Sequence, residues 1–347
     1  MTRPAFNPNR RRFLTTGAAA LAASPLLSAF GSSPFLNAAV AAEEIAKKPA
    51  EARIWGILLH LGHNMWGDTE RAYTPPTDKF DCDVALWEEL SVKSAESGLN
   101  MLVIDIGEAI QYKSHPELAI DGAWSVDRLR ADLKRLRDIG IEPIPKLNFS
   151  TCHDFWLGKY ERMVSTPEYY KVCADLIAEV AEIFDKPRFF HLGYDEENYP
   201  IQRTYDYVVI RQGELWKRDF LFFIEQVEKA GSRPWIWADY AWEHPEFMEW
   251  APKSILMSNW YYGKDFDPKS NKVAQRYIDL DKAGFDQVPG ASNWSNDENF
   301  GLTVDFCRKN LSEERLKGFL MVPWKFTFAK DRQHHLDAIS QVKAAMY

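Results

Sequence analysis

Residues 189–200, FFHLGYDEENYP, run from an apolar stretch into three consecutive acids, Asp195, Glu196 and Glu197. Adjacent carboxylates repel one another, and desolvation raises the cost of keeping each ionised. Proton transfer is one use for such a pair. An anionic Asp195 raises the proton affinity of Glu196, and a protonated Glu196 can donate to a leaving oxygen as a C–O bond breaks. Neighbours in a regular strand point to opposite faces, so the two side chains converge only if the strand ends at Asp195. The polar EENYP that follows, with Pro200, predicts that ending. Glu197 reads as a solvated acid or an ion-pair partner.

Other polar and aromatic residues accompany the pair. An indole stacks on the apolar C–H face of a pyranose, while amide, carboxylate and imidazole groups satisfy its hydroxyls. Trp237, Trp260, Trp294 and Trp324 are candidates for stacking, with packing between barrel and helices as the alternative for each. His63, Asn148, His153, His191, Asp239, Asn259 and Tyr261 are candidates for contacts to the sugar. His60, His63, His153, Asp154, His191 and Asp195 are also of metal-ligand type, which would suit a metal-dependent hydrolase. However, His60 and His63 stand three apart and face opposite sides of a strand, and single histidines at strand ends usually serve as hydrogen-bonding groups. No metal and no cofactor are therefore expected.

These residues need a scaffold that gathers them. Eight apolar runs alternate with helical patterns: RIWGILLHL from Arg53, NMLVIDI from Asn100, IEPIPKL from Ile141, RFFHLGY from Arg188, RPWIWADY from Arg233, SILMSNWYY from Ser254, FDQVPGASNW from Phe285 and KGFLMVPWKF from Lys317. Continuous apolar strands alternating with helices imply a parallel sheet buried on both faces. Eight such units predict a single α/β domain, a (β/α)₈ TIM barrel over 52–347, whose chemistry sits at the C-terminal ends of the strands. In SVDRLRADLKRLRDIG, Leu129, Leu133 and Leu136 share one helical face, with Ser125 as the cap and Gly140 as the stop. The fifth unit is short, about twenty residues from strand to strand, and its helix is expected to be vestigial. The candidate residues, together with His60, Asn64, Asp105, Glu108 and Asn293, fall at the ends of the strands.

The chain has 347 residues, and its start differs from the rest. Residues 1–41 read as an export signal: Arg10, Arg11 and Arg12, an Ala-rich apolar stretch, then a small-residue site at Ala39-Val40-Ala41. The arginine run followed by Phe13-Leu14 resembles a twin-arginine signal, which implies the export machinery as a partner and a periplasmic or extracellular location. Residues 42–51 read as a linker. Removing the signal changes the net charge from −8 to −12, with 38 basic against 50 acidic residues. Such a domain is a poor binder of nucleic acid or anionic membrane, and no later run is long enough to span a bilayer. Cys82, Cys152, Cys173 and Cys307 have no C-x-x-C spacing, so they are either free thiols or disulfides in one of three pairings.

The segment HLGYDE matches the H-x-G-x-D-E pattern that closes strand four in glycoside hydrolase family 20, the β-N-acetylhexosaminidases. WGILLHLGHNM, IEPIPKLNFSTCH and WADY resemble segments of the same family's barrel. The resemblance implies an exported glycosidase with Glu196 as acid/base and Asp195 polarising a 2-acetamido group. That group itself attacks the anomeric carbon, with net retention. The chain also departs from the family. His63 stands where an arginine grips the sugar, Asn148 replaces an aspartate, and Lys325-Phe326 follow Trp324 where an acid is usual. The seventh-strand tyrosine and the preceding smaller domain have no counterpart. These departures bear on the hydroxyl pattern of the sugar more than on the acid chemistry. Two further readings stand beside this one: a two-carboxylate glycosidase with Asp297 or Glu298 as nucleophile, and a catalytically degenerate sugar-binding barrel.

Overall fold

A computed structural model describes residues 53–66 and 75–347 of the chain. The expected signal peptide and linker lie outside the described residues. The strands are β1 (Ile54–His60), β2 (Met101–Asp105), β3 (Glu142–Lys146), β4 (Phe189–His191), β5 (Arg233–Trp237), β6 (Leu256–Ser258), β7 (Asp286–Gln287), β8 (Gly290–Ala291) and β9 (Gly318–Met321). All pairs are parallel, in the order β7-β6-β5-β4-β3-β2-β1-β9-β8.

The nine strands are eight staves, because β7 and β8 are halves of one segment. Pro289 has no N–H, so the ladder is interrupted there. On one side Val288 and Gly290 donate to the carbonyls of Met257 and Asn259 (2.9 and 2.8 Å). On the other, Gln287 donates to Arg315 and Leu320 donates to Pro289 (2.8 and 2.9 Å). The seventh stave thus bonds both neighbours and closes the barrel, the (β/α)₈ architecture expected from the eight apolar runs.

Strand periodicity sorts the side chains. Ile54, Leu58, Met101, Val103, Ile144, Phe189, Trp235, Trp237, Leu256, Val288, Leu320 and Val322 form the inner core. Ile57, Leu59, Leu102, Ile104, Phe190, Ile236 and Met257 face the helices. Those helices are α1 (Val84–Glu96), α2 (Val126–Asp138), α3 (Pro167–Ile183), α4 (Gly213–Lys229), α5 (Lys272–Lys282), α6 (Asn299–Asn310) and α7 (Arg332–Ala345). Ser125 caps α2 as expected, its hydroxyl accepting from the Arg128 amide (3.2 Å), and Gly140 follows the helix with φ +85°.

The fifth unit carries only two helical turns, Tyr240–Glu243 and Phe247–Trp250, either side of Pro245. Trp216 of α4 covers the gap, stacked on Tyr240 with ring centres 3.4 Å apart. All four cysteines are free thiols. Among the described residues no helix is long and apolar enough to cross a membrane.

Candidate active site

The segment that carries the acids leaves its strand earlier than expected. β4 ends at His191, and Asp195 lies four residues further on. The side chains converge because the backbone turns through left-handed conformations, with φ +66° at Gly193, +71° at Tyr194 and +58° at Glu196. Each non-glycine residue held there costs about 1–3 kcal/mol and persists only when its surroundings over-determine it. Here they do. Asn148 Oδ1 accepts from the amides of Ser150 and Tyr194 (3.0 and 3.2 Å). The Ser150 hydroxyl donates to the Asp195 carbonyl, and the Cys152 thiol donates to that of Glu196. The Glu196 amide donates to Asp239 Oδ2 (2.8 Å). Gly193 is required for the same reason: a Cβ there would lie 2.2 Å from Asn148 Cγ.

Asp195 and Glu196 meet at His153, from the loop after β3. Its Nε2 is 3.3 Å from Asp195 Oδ2 and 3.4 Å from Glu196 Oε2. Burial alone would keep this imidazole neutral, but the two carboxylates outweigh burial and push it up to about 10. Burial pushes Asp195 upward, yet the His153 cation, Lys146 and the Asn148 amide (2.8 Å) bring it below the usual carboxylate range. Both carboxylates thus share one imidazolium, a neighbour that the adjacent acids by themselves do not reveal. The group pushed upward is Asp239. Burial and then the charge of Asp195 take it to about 8, against the Glu196 amide that lowers it. Asp239 Oδ1 has no hydrogen-bond partner among the described residues.

The third acid turns away. Glu197 is 3% exposed and bound at both oxygens by Arg211, with Nε at 2.8 Å from one and an Nη at 2.6 Å from the other. Arg211 also donates to the Phe149 carbonyl (3.0 Å) and lies over the Tyr194 ring. Of the two readings for Glu197, ion-pair partner is the one the structure shows.

Aromatic residues line the interior beside the acids. Trp237 faces inward with its ring centre 4.6 Å from His191 and 5.9 Å from Trp324. Trp324, at φ +51°, also neighbours His60 and Trp66. Trp260 stacks on Tyr262 at 5.0 Å. Trp294 stands apart on the loop after β8, 47% exposed, its amide donating to Ser292 Oγ (2.9 Å).

Several predicted residues are committed to the scaffold. Asn259 is fully buried and accepts from the Trp242 indole (2.7 Å) while donating to the Val273 carbonyl (3.0 Å). Tyr261 packs with the outer layer against Phe266. His191 accepts from the Gly193 amide (3.0 Å), and burial holds it well below the usual imidazole range. His63 stacks on Phe326 at 4.6 Å, with Nε2 at 3.1 Å from the Pro75 carbonyl. Glu108 accepts from the amides of His63 and Asn64 (2.7 and 3.0 Å), fixing the turn that carries Trp66. Glu298 lies at the surface, paired with Lys264 (2.6 Å), and Asp297 meets Gln341 of α7, so neither belongs to the group around His153.

Three residues that sequence reasoning missed belong to the barrel mouth. Tyr262 stacks on Trp260 and feels the charges of Glu196, Asp195 and Asp239. Trp66 lies edge-on to His153, its ring centre 6.1 Å away. Lys146 is fully buried on the floor, 2.5 Å from Asp105 Oδ2, which His60 Nδ1 approaches to 3.5 Å. Alternation along the strands would have found two of them. From Leu256 the inward positions are 256, 258, 260 and 262, and from Ile144 they are 144, 146 and 148. Trp66 lies beyond any strand and had no such signal.

The proposed metal ligands separate in the same way. His60 pairs with Asp105, Asp154 accepts from the Arg162 amide (2.8 Å), and His63 and His191 are engaged as above. His153, Asp195 and Glu196 do come together, each offering a donor atom within 4.8 Å of the others.

No family model matches the chain, and no curated protein matches its sequence. Solved structures match its fold. A mutant Streptomyces plicatus β-hexosaminidase in complex with its product GlcNAc aligns with TM-score 0.60 and 12% identity, over 85% of this chain and 65% of that one. Flavobacterium johnsoniae chitobiase aligns with TM-score 0.56 and 18% identity, over 82% and 47%. A family 20 exo-β-N-acetylglucosaminidase from Vibrio harveyi gives 0.56 and 14%, over 83% and 54%. The chain therefore spans about half the length of the last two. At such identities the shared property is the fold: this is an α/β barrel of the kind found in family 20 hexosaminidases.

Proposed function

We propose that the chain is an exported glycoside hydrolase of hexosaminidase type, which cleaves 2-acetamido sugars with neighbouring-group participation and retention. Export would follow the twin-arginine route to the periplasm or beyond, with a carbohydrate as the substrate. The observation that carries the reading is the convergence of Asp195 and Glu196 on His153 in a barrel mouth walled by Trp237, Trp260, Trp324 and Tyr262.

Asn148 and His153 hold the Asp195 carboxylate in one orientation, leaving lone pairs to accept from an acetamido N–H. Accepting that hydrogen bond increases the charge on the acetamido oxygen, which attacks the anomeric carbon as the glycosidic bond breaks. Glu196 is the more exposed of the two acids, so it is placed to give a proton to the leaving oxygen. It then takes a proton from the water that opens the oxazolinium ring. The indoles cover the apolar face of the sugar and exclude competing water.

The test is Glu196→Gln on aryl glycosides with and without a 2-acetamido group. The expected loss in kcat is about 10²- to 10⁴-fold, with sugar binding retained. Unchanged turnover would overturn the assignment. Wild-type cleavage of sugars lacking the acetamido group at equal rate would show that the nucleophile lies elsewhere.

A further inference from the structure

We propose that His153, Asp195 and Glu196 also form a binding site for one zinc ion, whose occupancy is exclusive of sugar. The metal site stands on the geometry of these side chains, and its competition with sugar rests on the glycosidase reading. Zinc binds imidazole nitrogen and carboxylate oxygen at about 2.0–2.2 Å, so donors at two corners of its tetrahedron stand about 3.3–3.5 Å apart. His153 Nε2 already lies 3.3 and 3.4 Å from the nearest oxygens of Asp195 and Glu196. An ion between the three donors, which lie within 4.8 Å of one another, takes the place of the proton on His153 Nε2, which is released to solvent.

The surroundings agree with this. His153 and Asp195 are buried, and the Asn148 amide engages Asp195 Oδ1, which leaves Oδ2 for the ion. Glu196 is 30% exposed, so the fourth position opens toward solvent, the usual arrangement when three protein groups hold zinc. One nitrogen and two oxygens suit a borderline ion. Calcium takes six or more oxygens and magnesium keeps most of its waters, so neither fits three donors of this kind. The ion would occupy the two carboxylates that a sugar needs, so the two ligands compete.

Metal-stripped protein titrated calorimetrically with zinc chloride, without sugar, should bind one ion per chain, while calcium and magnesium chloride give no heat. His153→Gln and Glu196→Gln, checked for folding by circular dichroism, should each weaken binding at least about tenfold. Cobalt chloride should give the visible absorption bands of a tetrahedral site, lost in both variants. Absence of saturable zinc binding, or binding that both variants leave intact, overturns the site. Zinc that binds and accelerates sugar cleavage overturns the exclusivity. Because heat and absorption are read without sugar, a protein inactive on every glycoside still shows whether the metal binds.

Discussion

Glu196 and Glu197 are adjacent, chemically identical and treated in opposite ways. Glu196 reaches the barrel mouth on a left-handed residue, partly exposed, and shares His153 with Asp195. Glu197 has a buried side chain with both oxygens taken by Arg211. The chemistry proposed for Glu196 requires access to solvent and an unsaturated set of partners. A charge used as an anchor is stable when buried only if its partners are complete. The third acid therefore fixes the loop that presents the first two.

The contrast is open to test, and the largest effect is expected at the anchor. Arg211→Met leaves Glu197 buried and unpaired, which should cost about 3–5 kcal/mol of stability in urea unfolding. Replacing Glu197 by Met in the same chain should recover much of that loss. Glu196→Gln should barely move the unfolding midpoint while removing turnover. If Arg211→Met unfolds no more easily than wild type, the anchor role is wrong.

The next effect is on pH dependence. His153 is raised from 6.5 to about 10, so the stability it contributes is complete below pH 6.5 and lost as pH rises toward 10. Asp239 is raised from 3.8 to about 8, so the folded chain holds a proton that the unfolded chain releases, and stability again falls between those values. Those two groups oppose the buried imidazoles of His60, His191 and His335, whose lowered values favour the fold as pH rises, so the test is a difference: Asp239→Asn should remove part of any decline between pH 3.8 and about 8. An Asp239→Asn profile parallel to that of the wild type over pH 5–8 would contradict the Asp239 shift.

The smallest effect belongs to Trp294. It is nearly half exposed on the rim, so Trp294→Ala should change stability by no more than about 0.5 kcal/mol. The proposed stacking on sugar, worth about 0.5–1.5 kcal/mol, predicts that the same substitution raises KM about two- to tenfold while leaving kcat alone. A fall in kcat with KM unchanged would place Trp294 with the reacting groups instead.

Strand-level features were legible because they depend on local pattern. Eight apolar runs between amphipathic helices sufficed for a closed parallel barrel, and the same alternation assigns Trp237, Trp260 and Asn148 to one interior. The pattern failed where the chain leaves a strand. Alternation from Leu256 selects Tyr262 rather than the predicted Tyr261, and Asn259, a predicted sugar contact, is occupied by the Trp242 indole and a backbone carbonyl. The division of the seventh stave follows from Pro289, but that its two halves would each find partners is a property of the closed sheet.

Sequence alone determined the architecture and the chemical types available at the mouth, because hydrophobic period and residue identity are local properties. Only the folded chain decided the partners of each acid. Three left-handed residues, an Asn148 side chain resting against Gly193, and an arginine fourteen positions downstream of Glu197 together orient three neighbouring carboxylates. Those contacts join residues far apart in the chain, and electrostatic energy at such distances depends on where burial and counter-charges fall in space.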